Sequence, residues 1–298
     1  MKKKIFNIPL YVLKLGVTVL ILWMILRKMD LSLLLDSFTN LPWLLVGFLF
    51  FLSTVRHWGQ YLVWKFSLEL NPIYKPERRE LFNSYFIGQA LRFAIPGGFG
   101  MMGKMVYLKN TSMVASVVSY HFERIFVVWS IFIFGAFAAY HYFTHISQWI
   151  SIPVLILIGT LPIWFYFLMN LNRKWRRLKP QYLHLAPRIV LLQIAVMLIN
   201  HYQYWLVLNG FLSIGFGEVL KRMSLSHFAY SIPITFAGLG LKESFAIHFL
   251  SEVGFSKIQV ITATLSVFFL HDFLGALVGL YVFLREKRVH KFEWKKLK

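Results

Sequence analysis

Gly98, Gly100 and Gly103 stand at the spacing G-x-G-x-x-G, and Gly98, Gly103 and Lys104 repeat the glycine–lysine skeleton of a P-loop. Both patterns belong to phosphate chemistry. Glycine-rich turns open backbone N–H groups toward an anion, and a helix end adds partial positive charge. The nucleotide version of that chemistry fails on the neighbouring residues. A P-loop follows its lysine with Ser or Thr, whose hydroxyl holds magnesium, and here Met105 follows Lys104. A dinucleotide turn follows a strand in a soluble α/β unit, whereas the stretch before Gly98 is apolar and helix-like. Glu123, at about the distance of a ribose partner, sits inside an apolar run. Two readings remain. The turn meets another phosphate, a lipid's included, or its glycines let helices pack closely at a bend.

Other ionisable residues are set in apolar surroundings: Arg56 and His57, Arg92, His121 with Glu123 and Arg124, Lys242 with Glu243, and His271 with Asp272. A charge in hydrocarbon is expensive unless paired or hydrated, so each is a functional candidate. The alternative for any one of them is a structural ion pair between helices. For the set, an excess of cations is a costly way to hold a bundle together and a sensible way to line a pocket for an anionic headgroup. Glu123, Glu243 and Asp272 then neutralise spare cations or meet an amine. Asn200, His201 and Gln203 read as polar packing, and Gly275 and Gly279 as a close helix contact.

The elements that carry these residues follow from composition. The chain has 298 residues, 58% hydrophobic and 15% charged, with mean hydropathy +0.60. Soluble domains carry about 25% charged residues, and several stretches here run the length of a bilayer-crossing helix. The class is an all-α integral membrane protein in the cytoplasmic membrane. The formal charge of +20 resides in clusters flanking apolar runs, as topology determinants and anionic-lipid contacts do, so no nucleic-acid partner is expected. With no cysteine, thiolate catalysis and Cys-based metal sites are excluded. No paired-histidine zinc helix, nucleophile elbow or cofactor motif is visible, and neither a cofactor nor a metal is expected.

Six apolar segments are long enough to span: about 8–26, 41–66, 113–140, 151–170, 188–209 and 257–284. The first resembles a signal peptide but ends in Arg27 and Lys28 without a small-residue cleavage site, so it reads as an uncleaved span. Two further segments, about 81–103 and 224–252, are interrupted by Gly and Pro. Each half is too short to cross, so they read as re-entrant helical hairpins. Lys and Arg in the short loops place both termini in the cytoplasm. The first broken segment then enters from the cytoplasmic side and the second from outside, and both run Pro, Gly-x-Gly, then a nearby charge. That pairing points to an inverted repeat, about 41–140 and 188–284, around a central site. Residues 1–298 form one polytopic domain with a basic tail at 285–298.

These motifs resemble a known family. "PGGFGMMGK", then "SVVSYHFERIFVVW", then "PITFAGLGLKESFAI" are similar to the lysylphosphatidylglycerol synthase transmembrane family, also called flippase-like domain proteins. Its pattern runs Pro-Gly-x-x-Gly-Glu-x-x-[Arg/Lys], Glu-Arg-x-x-Asp, and Gly-Gly-x-Gly-x-[Arg/Lys]-Glu. Pro96, Gly97, Gly100 and Lys104 match the first motif, Glu123 and Arg124 the second, and Gly238, Gly240, Lys242 and Glu243 the third. Met101 stands where the family usually has Glu, and Val127 where it often has Asp, which puts cation binding or proton coupling in doubt. The resemblance covers about residues 10–285 and implies movement of a phospholipid or lipid-linked headgroup between leaflets.

The expected substrate site is therefore Arg92, Lys104, Arg124 and Lys242 with Gly98, Gly100, Gly238 and Gly240. Glu123, Glu243 and Asp272 are its charge partners, and Arg56, His57, His121 and His271 line the cavity. No catalytic residue is assigned. The expected partner is a membrane phospholipid or lipid-linked substrate, bound by one chain or a homo-oligomer. A membrane-embedded enzyme acting on a lipid headgroup, or a non-transporting subunit of a glycolipid or cell-envelope pathway, is the alternative.

Overall fold

Uninterrupted runs of Leu, Phe, Val and Ile become long helices in the computed structural model, which describes Trp23, Ser32 and residues 41–93, 96–228 and 241–286. The expected first span at about 8–26 lies outside the described residues, as do Gly238 and Gly240. Every described element is helical. Helix α1 is Trp43–Leu68, α2 is Arg78–Leu91, and a 3-10 segment follows at Pro96–Tyr107. Next come α3 (Met113–Tyr142), α4 (Gln148–Gly159), α5 (Leu161–Leu168) and α6 (Lys179–Asn209). The last are α7 (Phe216–His227), α8 (Leu241–Ser251), α9 (Lys257–Phe268), a π-helical turn at Phe269–Phe273, and α10 (Leu274–Arg285).

Among the described residues, three helical stretches are long and apolar enough to cross a membrane: α3, α6, and the continuous run Lys257–Arg285. The run expected to cross at 151–170 is not straight. It bends by 55° between α4 and α5. Pro162 lies in the first turn of α5, where its missing N–H ends the hydrogen bonding of α4 and suits a new start. Taken together, α4 and α5 make a fourth candidate span. Neither buries a side chain, and Trp149 is 90% exposed, so this face suits lipid rather than water. Helix α6 begins earlier than expected, at Lys179, and keeps Pro187 in its interior.

The bundle has two ends, fixed by contacts between helix termini. At one, Asn71 after α1 donates to Asn110 before α3 at 2.9 Å, and Asn83 in α2 donates to Glu286 after α10. At the other, Tyr142 at the end of α3 and Arg222 of α7 both bond Glu252 after α8.

Two half-length units pack at these opposite ends. Helix α2 runs inward and the 3-10 segment returns beside it, so that the Lys109 N–H reaches Glu80 near the start of α2. Helix α7 runs inward from the other end, and α8 returns so that Arg222 donates to the Phe249 carbonyl at 2.6 Å. The second unit starts at Phe216, earlier than the glycine and proline breaks indicated. Its first helix, "FGEVLKRMSLSH", turns Val219, Met223, Ser224 and His227 to its buried side.

Small residues set the spacing at the centre. A Cβ on Gly279 of α10 would run into the Phe86 carbonyl of α2, and one on Gly275 would sit 2.6 Å from the His57 ring. These positions do serve close helix contact.

Candidate functional site

The two half-length units carry buried charges. On the first unit, Lys104 is 1% exposed and ion-paired with Glu123 of α3, itself 4% exposed. The ammonium also lies 3.7 Å from the centre of the Trp64 ring and 5.6 Å from that of Tyr120, both within cation–π range. The aliphatic stem fits because Gly88 faces it. A Cβ there would come within 2.9 Å of Lys104 Cδ. Trp64 Nε1 donates to Ser84 Oγ at 3.2 Å, and Ser84 donates to the Lys104 carbonyl at 3.0 Å, which ties the 3-10 segment to α1 and α2.

The tip of α2 meets the break in the last long helix. Arg92 Nη1 donates to Asp272 Oδ1 at 2.8 Å. Asp272 and His271 sit in the π-helical turn, and both are buried. A π turn widens one helical turn by a residue, often at functional sites. His57 of α1 stacks on His271 with ring centres 4.1 Å apart. Its Nδ1 lies 3.0 Å from the Tyr85 hydroxyl, and its Nε2 lies 2.9 Å from the His271 carbonyl.

On the second unit, Lys242 is 1% exposed, 3.7 Å from Glu243 Oε1, and donates to the Tyr204 hydroxyl of α6 at 3.3 Å. Beside it, His227 bonds Asn200 at 3.1 Å and His201 bonds Ser224 at 2.9 Å. Gln203 joins this group to α1. It accepts from Arg56 at 2.8 Å and donates to Ser53 at 2.8 Å and to the Leu49 carbonyl at 3.0 Å. Asn200, His201 and Gln203 thus pack as polar groups between α6, α7 and α1.

Each of the three expected carboxylates is therefore matched to one expected cation. Arg124 is not. It is half-buried and makes no hydrogen bond or ion pair with any described residue. His121 is exposed, with its ring nitrogen 2.8 Å from the Val117 carbonyl of its own helix. Gly98 and Gly100 lie in the 3-10 segment, and Gly103 packs on Leu91.

A model of the lysylphosphatidylglycerol synthase TM region matches residues 11–279. The chain belongs to that family. With its long apolar helices, this makes it an integral multi-pass membrane protein related to lipid-headgroup handling. No curated protein and no solved structure matches the chain.

Members of this site not singled out from sequence are Trp64, Ser84, Tyr85, Tyr204, Ser224 and His227. They occur in apolar or helix-like stretches where an aromatic reads as core, and only packing brings them to a charge. What the arrangement can do chemically is ionic. It holds cations and carboxylates in a low-dielectric interior where an arriving anion competes with an internal carboxylate for a cation.

Proposed function

We propose that this chain moves a phospholipid or lipid-linked headgroup between the leaflets of the cytoplasmic membrane. In this reading six spans and two re-entrant units cross or enter the bilayer, both termini are cytoplasmic, and the half-length units form an inverted pair. One observation carries it: cation–carboxylate pairs are buried in both half-length units, Arg92–Asp272 and Lys104–Glu123 on the first and Lys242–Glu243 on the second. A structural bundle gains little from such pairs, because desolvation offsets their attraction. A transporter uses them as exchangeable partners.

The lipid phosphate first meets the uncommitted guanidinium of Arg124, whose planar fork suits a phosphate. Arg124 follows Glu123 directly and lies close enough to act electrostatically on Lys104. The phosphate then shares Arg92, Lys104 and Lys242 in turn as Asp272, Glu123 and Glu243 release them, while the acyl chains stay in lipid. Glu123 and Glu243 also offer sites to an amine on the headgroup. Met101 and Val127, where the family pattern carries acids, leave this chain fewer carboxylates than its motifs allow.

The test is reconstitution into liposomes carrying a labelled phospholipid in one leaflet. The expected result is transfer of chemically unaltered lipid to the other leaflet. Recovery of a modified headgroup overturns transport in favour of an enzyme, and absence of transfer in favour of a non-transporting subunit.

A further inference from the structure

A cavity of about 780 Å³ opens where α1 ends and α3 and α6 begin, and its lining residue Ser119 lies one helical turn before Glu123. Its size falls in the range of about 300–1,000 Å³ typical of small-molecule sites. Two unlike surfaces meet in it. Val114, Val118 and Leu178 supply apolar wall, and Arg173 and Arg177 stand on the connection before α6. No carboxylate lines it, so the lining is cationic. Both arginines are exposed and form no hydrogen bond or ion pair with any described residue. Ser119 is 1% exposed, yet it lines the cavity and its hydroxyl has no hydrogen-bond partner among the described residues.

We infer that this cavity binds one anionic phospholipid, with an acyl chain against Val114, Val118 and Leu178 and the phosphate on Arg173 and Arg177. A free anion has no use for the apolar walls, and an uncharged lipid has none for two uncommitted guanidiniums. Guanidinium forks bind phosphate through paired N–H donors, and basic pockets between membrane helices hold anionic headgroups. Ser119 offers a further hydroxyl to the glycerol or ester oxygens. The N-terminus of α3, capped by Ser112 at its first turn, adds partial positive charge at the same opening. The site does not depend on lipid being transported.

The full chain purified in detergent, incubated with phosphatidylglycerol or phosphatidylcholine and weighed intact by native mass spectrometry, tests this. The wild type is expected to retain one phosphatidylglycerol in preference to phosphatidylcholine. Arg173→Gln/Arg177→Gln changes two exposed side chains and should weaken phosphatidylglycerol retention at least about tenfold, leaving phosphatidylcholine unchanged. Val114→Trp fills the opening and should reduce both. Equal phosphatidylglycerol retention by the wild type and the double arginine variant overturns the inference. So does displacement of the lipid by inorganic phosphate alone, which would mark a free-anion site. Retention of phosphatidylglycerol by a preparation that transports nothing counts against the proposed function and leaves this site standing.

Discussion

Lys104 and Glu123 form an ion pair between the 3-10 segment and α3, with side chains 2% and 5% exposed. The pair closes the first half-length unit against a long helix, and Trp64 covers the ammonium on its other side. Each charge is tolerable only because the other is there.

Removing one partner should therefore do more harm than removing both. Lys104→Met leaves a buried, uncompensated carboxylate and should cost about 3–5 kcal/mol. Lys104→Met/Glu123→Leu should recover most of that loss, because apolar replacement of a buried pair is often close to neutral. Unfolding curves of the two variants and the wild type in one detergent check this. Equal losses in the single and double variants would contradict the pairing.

Gly279 should resist even one added methyl. Its Cβ would meet the backbone carbonyl of Phe86, which cannot swing aside as a side-chain end can. Gly279→Ala should force α2 and α10 apart and lower stability by about 1–3 kcal/mol. A Cβ on Gly47 would meet nothing within 4 Å, so Gly47→Ala is the matched control and should be neutral. Thermal melting of the two variants separates the outcomes.

A pH-dependent tie sits at the far end of the bundle. Glu252 is exposed between α8 and α9 and accepts from the Tyr142 hydroxyl at 2.5 and 2.6 Å and from Arg222 at 2.8 Å. The Tyr142 hydrogen bond first, and the Arg222 guanidinium next, hold its carboxyl below its ordinary value of 4.5. A depressed folded-state value means the tie contributes stability above the unfolded-state value and loses it as pH falls through the folded one. Glu252→Gln should thus show a flatter fall in melting temperature than the wild type below about pH 4.5. Parallel curves would show that the tie adds nothing.

Much of this was visible in the residues themselves. Charges inside apolar runs marked Lys104, Glu123, Lys242, Glu243 and Asp272, because hydrocarbon makes an unpaired charge costly whatever the fold. Which carboxylate meets which cation was not readable, since Arg92 and Asp272 lie far apart in the chain and only the approach of α2 to the last long helix joins them. The π turn around His271 leaves no mark in sequence, for it depends on packing and not on residue type. Helix α7 was hidden by its polar residues, and the bend at Pro162 by the apolar letters on both sides of it. His121 shared an apolar run with Glu123 but faces outward, because helical rotation separates neighbours two positions apart.

The most direct test of the transport mechanism is the rate of phospholipid transfer between leaflets in proteoliposomes containing wild type or Arg124→Gln. Arg124 is half-buried and has no partner among the described residues, so the substitution removes a cation without stranding a carboxylate. The mechanism predicts an unchanged melting temperature and transfer slowed at least about tenfold, the loss of one charge-assisted phosphate contact. Transfer by Arg124→Gln at the wild-type rate would contradict it.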